Sequence, residues 1–60
     1  MFSIGKYILK LRNLHGLSQD NLAARLGVSR PTYMQIEHGK RDITLHEAEK
    51  LSAILGVGFD

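Results

Sequence analysis

Residues Ser18–Gly39 read SQDNLAARLGVSRPTYMQIEHG, and this stretch predicts two short helices joined by a tight turn. Ser18 is a good N-cap, and Leu17 before it can close a hydrophobic staple with Leu22. Leu22, Ala23 and Leu26 recur at helical spacing. Gly27 supplies the positive φ that ends the first helix, and Val28 can fold back onto it. Ser29 opens the second helix, Tyr33 and Ile36 point inward, and Gly39 stops it. With only Gly27-Val28-Ser29 between them, the two helices must cross rather than run antiparallel. The small side chain of Ala23 suits that close approach. Pro31 in a first turn loses no hydrogen bond but biases Arg30 away from helical geometry, so the regular helix begins at Arg30 or Pro31. Isolated helices below roughly 12–15 residues are marginal in water, so the rest of the chain must hold this pair.

Working outward, residues 4–15 (IGKYILKLRNLH) read as a preceding helix. Ile4, Ile8 and Leu11 form a stripe that Tyr7 and Leu14 extend. Ser3 can cap it, Phe2 and Tyr7 are placed for a staple, and Gly16 ends it. Leu9 falls off the stripe and reads as a singly exposed apolar residue. On the other side, Lys40–Ile43 is a connecting loop. Thr44 and Glu47 spell a capping box that opens a last helix over 45–55, with Leu45, Ala48, Leu51 and Leu55 inward. Gly56 ends it, Val57 can supply the closing contact, and the chain runs out at Val57-Gly58-Phe59-Asp60.

Sixty residues make a single domain, 1–60, with a thin core, since a chain of this size buries only about 60% of its unfolded surface. There is no cysteine, hence no disulfide and no thiolate metal site, which suits a reducing cytoplasm. Nothing resembles a signal peptide, and no apolar run approaches the ~20 residues of a membrane span. The formal charge of +2 says less than its placement: Arg30, Lys40 and Arg41 flank the second helix of the central motif, a mildly basic patch suited to a polyanion. His15, His38 and His46 are scattered over separate helix ends without metal-ligand spacing. His46-Glu47 lacks the second histidine of HExxH, and no phosphate loop or nucleophile–base pair is present. Neither an enzyme nor a cofactor-binding protein is expected.

Taken in order, Ile8–Arg12, GLSQ (16–19), LAARLGVS (22–29), IEHGKR (36–41) and LGV (55–57) resemble the Cro and phage-repressor (Xre-type) helix-turn-helix family over nearly the whole chain. The resemblance implies an all-α, lambda-repressor-like bundle of four or five helices, with helices near 4–15, 18–26, 30–38 and 45–55 and the third in the major groove of DNA. Carried over by position, the base-facing residues are Arg30, Pro31 and Gln35, with Thr32 and Met34 nearby. Helical geometry agrees: with 33 and 36 inward, 30, 34 and 38 lie on the opposite side, beside 31 and 35. Arg30 has the fork for guanine O6 and N7, and Gln35 can pair with adenine N6 and N7. Pro31 departs from the family's usual polar residue and can only touch a thymine methyl or shape the helix start. Tyr33 is larger than the family's Val or Ile, so its ring is expected partly buried, with the hydroxyl at the core edge near the DNA backbone.

Phosphate contacts are expected from Ser18 and Gln19, where helix N–H groups already favour an anion. His38, Lys40, Arg41 and Thr44 are further candidates. Such contacts position the protein without reading sequence. The resemblance also implies a partly buried ion pair between Arg12 and Glu37. It further implies dimerisation on an inverted repeat, here weak, through Ile54–Asp60. The expected function is a sequence-specific transcriptional regulator binding double-stranded operator DNA. The alternative is an antitoxin-type interaction module, or the first domain of a longer regulator, with Phe2, Leu9, Leu14 and Phe59 as contact candidates for a protein partner.

Overall fold

The computed structural model describes residues 3–58, which form four helices and, within that range, no strand. They are α1 (Ile4–Leu14), α2 (Gln19–Leu26), α3 (Arg30–Glu37) and α4 (Leu45–Leu55). Hydroxyl side chains begin all four. Ser3, Ser18, Ser29 and Thr44 accept from the backbone N–H groups of Lys6, Asn21, Thr32 and Glu47 respectively. Each cap satisfies one of the donors that a helix start leaves without an intrahelical partner. At Thr44 the box is complete, because Glu47 Oε1 accepts from the Thr44 N–H at 2.9 Å. Arg30 is the first residue of α3, and the proline after it sits in the first turn. His15 and His38 lie just past α1 and α3 as C-caps.

The turn between α2 and α3 is built by Gly27, whose φ of 78° lies where side-chain-bearing residues are disfavoured. That turn lets Val28 N–H reach back to Ala23 C=O at 3.0 Å and Gly27 N–H to Ala24 C=O at 3.1 Å. These two bonds are the Schellman closure, and they leave three residues before α3 starts.

The core is Ile8, Leu22, Ala23, Leu26, Tyr33, Ile36, Leu51 and Leu55, with Ile4, Leu11, Leu17, Val28, Ile43, Ile54 and Val57 packed against it. Ile8, Leu22, Tyr33, Ile36 and Leu51 are completely buried. Every helix contributes, so the two short central helices are clamped between α1 and α4. At Gly5 the backbones of α1 and α3 come into close contact. A Cβ there would stand 2.3 Å from Ile36 C=O and 2.6 Å from Glu37 C=O, so no larger residue fits without moving a helix.

Three expectations about burial are corrected. Leu14 is 72% exposed and Leu45 79% exposed, although both were assigned to inward stripes. Leu14 lies six residues from Ile8, about 120° away around the helix at 100° per residue, and so faces out. Leu45 occupies the first turn of α4, about 120° from Leu51 by the same rotation. Leu9 is half-buried rather than freely exposed. The Phe2–Tyr7 staple, Phe59 as a contact residue, and the end of the Ile54–Asp60 segment involve positions outside the described residues.

Candidate nucleic-acid interface

Helix α3 has two chemically distinct sides. Tyr33, Ile36 and Glu37 are buried, Thr32 and Met34 are half-buried, and Arg30, Pro31, Gln35 and His38 are exposed. Anchoring 33, 36 and 37 turns 31, 35 and 38 outward, about 140–200° from Tyr33 at 100° per residue, whereas Arg30 lies toward the side of Tyr33 and Glu37 and is exposed by its place at the helix start. The start of α2 lies beside the start of α3: Arg30 Nη2 donates to Gln19 Oε1 at 3.3 Å, and Arg30 Nε is 3.7 Å from Asp20 Oδ1. One surface therefore carries Arg30, Pro31 and Gln35 together with the N-terminal turn of α2. Ser18 Oγ accepts from Asn21 N–H at 3.0 Å, which leaves its own proton free to donate outward. Ser29 Oγ donates to Thr32 Oγ1 at 2.9 Å, so Thr32 is tied to the cap of its own helix.

Behind this surface lies a network centred on Glu37. Its Oε2 accepts from Arg12 Nε at 2.6 Å and from the Tyr33 hydroxyl. Its Oε1 accepts from Gln19 Nε2 at 3.0 Å and from Arg12 Nη2 at 3.5 Å. Arg12 Nη1 donates to Leu17 C=O at 2.9 Å, so one guanidinium ties α1, the α1–α2 turn and α3 together. Burial pushes the Glu37 carboxyl pKa up, but hydrogen bonds from Arg12, Tyr33 and Gln19 outweigh it and hold the group below the usual carboxylate range. Burial, and then the bond to Glu37, raise the Tyr33 phenol well above its ordinary value. Tyr33 is fully buried, which corrects the expectation of a hydroxyl at the core edge near DNA. A carboxylate one helical turn away at i+4 is a stronger acceptor, and it draws the phenol inward.

Gln19 was expected on the DNA backbone, and in this structure both ends of its amide are engaged, by Glu37 and by Arg30. Lys40 and His38 are exposed. Arg41 is different. Its Nη1 and Nη2 reach Glu47 Oε1 and Oε2 at 3.1 and 2.9 Å, a two-pronged pair that leaves the Glu47 side chain 9% exposed. The bond from Arg41 is the main reason the Glu47 carboxyl sits below its ordinary pKa. The Lys40-Arg41 dipeptide is thus split between a solvated cation and a cation committed to α4. Thr44 accepts from Glu47 N–H at 3.1 Å, and like Ser18 retains its hydroxyl proton.

Sequence reasoning assigned no role to Asp20, to Gly5, or to the Arg41–Glu47 pair. The capping box did single out Glu47, but a partner reached across a loop has no periodic signature. Among the described residues, no group of three or more His, Cys, Asp or Glu side chains is placed to hold a metal ion. In the same range no helix is long and apolar enough to cross a membrane.

Comparison with known proteins agrees with this geometry. A family model described as helix-turn-helix matches residues 8–60. An uncharacterized HTH-type transcriptional regulator of Methanocaldococcus jannaschii is 50% identical over 49 residues, which cover 82% of this chain and 74% of the relative. The control protein C.MunI of a Mycoplasma species is 43% identical over 54 residues, covering 88% of this chain and 73% of that one. Among solved structures, the restriction-modification controller protein C.AhdI from Aeromonas hydrophila superposes with a TM-score of 0.78 at 34% identity, covering 88% of this chain and 80% of that chain. With a family match over most of its length and a relative half identical to it, this chain belongs to the Xre-type helix-turn-helix family of DNA-binding transcriptional regulators.

Proposed function

We propose that the protein is a sequence-specific transcriptional regulator that lays α3 in the major groove of an operator. The observation that carries this reading is the exposed outer side of α3, where Arg30, Pro31 and Gln35 stand beside the N-terminal turn of α2. Gln35 and Arg30 are the base readers, for adenine and guanine respectively, and each good bidentate pair discriminates by about 1–3 kcal/mol. Pro31, Met34 and Thr32 shape the contact and can meet thymine methyl groups. Ser18, Thr44 and the amides at the α2 start grip phosphate, with Lys40 and His38 supplying charge or donors. Arg41 is reassigned from phosphate to structure because Glu47 holds its fork. Gln19 keeps a phosphate role only where backbone contact displaces one of its two present partners.

One module contacts about half a site, so two copies on an inverted repeat, with their α3 helices one turn of DNA apart at roughly 34–36 Å, complete the reading. Ile54 and Val57, half-buried at the end of α4, belong to the segment that would form this weak homodimer. An operator-binding role places the protein in the cytoplasm and calls for no catalytic group. Selection of duplexes from a random pool tests the proposal. Enrichment of an inverted repeat is expected, and Gln35→Ala should change the enriched base at one position per half-site. A pool that stays random, or an unchanged preference in the variant, overturns it.

A further inference from the structure

Arg30 is held from the side by two groups of α2. Gln19 Oε1 accepts from its Nη2 at 3.3 Å, and Asp20 Oδ1 lies 3.7 Å from its Nε. In a guanidinium Nε and Nη2 share one edge, so both partners sit on that edge. The end formed by Nη1 and the second Nη2 hydrogen is left open, and that end can span guanine O6 and N7. Asp20 itself is exposed and lies in the first turn of α2, where the helix dipole favours its negative charge. Its position has an electrostatic consequence. A phosphate drawn to Arg30 approaches a carboxylate at the same time, whereas a neutral guanine edge takes the open end without that repulsion.

We propose that Asp20 is a specificity-determining residue. It neutralises and orients Arg30, opposing capture of the guanidinium by DNA phosphate while leaving its outer end for a base. This rests on Arg30 reading a base, as set out under the proposed function. Asp20 acts through Arg30 and touches no base itself, so it is a positioning residue. The Asp20–Arg30 pair is solvent-exposed, so its effect lies in discrimination and not in stability.

The test compares wild type, Asp20→Asn, Arg30→Gln and the double variant by fluorescence anisotropy. Each binds the selected duplex and an unrelated duplex of equal length at one low salt concentration. Asp20→Ser serves as a second neutral replacement, and unchanged melting curves establish that each variant is folded. Removing one charge some ~6 Å from a phosphate should tighten binding to the unrelated duplex about threefold in water. The ratio of selected to unrelated affinity should fall by at least that factor. In the Arg30→Gln background, Asp20→Asn should leave that ratio nearly unchanged. The same change of ratio in both backgrounds means a plain charge effect and overturns the proposal, as does no change in either. An Arg30→Gln variant that keeps full discrimination would show instead that Arg30 reads no base, and the reading on which the proposal rests falls first.

Discussion

Replacing Arg12 by alanine probes the device that fixes α3 to its scaffold. The change removes Nε–Oε2 at 2.6 Å, Nη2–Oε1 at 3.5 Å and the bond to Leu17 C=O at 2.9 Å. The Glu37 side chain is 2% exposed with Arg12 in place, so the change takes the cation from a carboxylate in a largely buried site. Breaking a buried pair by removing one partner costs about 3–5 kcal/mol. Tyr33 and Gln19 still donate to Glu37, which places the expected loss near the lower end, about 3 kcal/mol. A chain of this length has a total stability of only about 3–9 kcal/mol. The melting temperature should therefore fall by about 12–24 °C. Thermal and urea unfolding followed by circular dichroism, beside Lys6→Ala at an exposed site on the same helix, measures it.

Acid supplies a second reading of the same variant. In the wild type, Glu37 titrates below its unfolded value. Its stabilisation is therefore complete above a pH of about 4.3 and is lost as pH falls through the lower folded value. Without Arg12 the Glu37 carboxyl loses its largest source of lowering, so it titrates higher in the folded variant than in the folded wild type and loses less on protonation. The stability gap between wild type and variant should narrow as pH falls. A loss no larger than that of Lys6→Ala, or a gap that widens in acid, would refute the reasoning.

Other consequences follow from the same contacts. Tyr33→Phe removes one donor from the buried carboxylate and should cost about 1.5–3 kcal/mol in urea unfolding. The base preference should not change, since the hydroxyl lies inside. Gly5→Ala would gain about 1 kcal/mol in an exposed helix. Here the new Cβ meets Ile36 C=O at 2.3 Å, so the melting temperature should drop, by an overpacking cost of about 1–3 kcal/mol or more. Lys40→Ala should reduce the salt slope of DNA binding by about 0.9 while sparing stability. Arg41→Ala should do the reverse, lowering the melting temperature through loss of the Glu47 pair and leaving the slope unchanged.

The local chemistry of Ser18, Gly27, Ser29 and Thr44 was legible in the sequence because caps and helix stops act over three to six residues. The anchoring of Leu22, Ala23, Leu26 and Ile36 was equally plain from periodicity. Leu14 and Leu45 misled because a loose stripe admits residues that a strict 100° rotation turns outward. Gly5 carries no periodic signal of its own, and only the approach of α3 shows that it is a contact site. The fates of Tyr33, Arg41 and Asp20 depended on which partner was nearest in space. Such choices among competing acceptors are set by packing and leave no spacing to read. Arg30 and Gln35 were identifiable as outward residues, but the hold of Gln19 and Asp20 on Arg30 was not.

A binding titration of the intact chain against its selected duplex and a scrambled duplex of equal length, each at two salt concentrations, tests DNA reading by α3 most directly. Affinity should fall by about 0.9 log units per log of salt for each phosphate neutralised. The selected duplex should bind more tightly at both salts, and Gln35→Ala should erode that preference. Salt-insensitive binding, or equal affinity for both duplexes, would contradict a role for α3 in reading DNA.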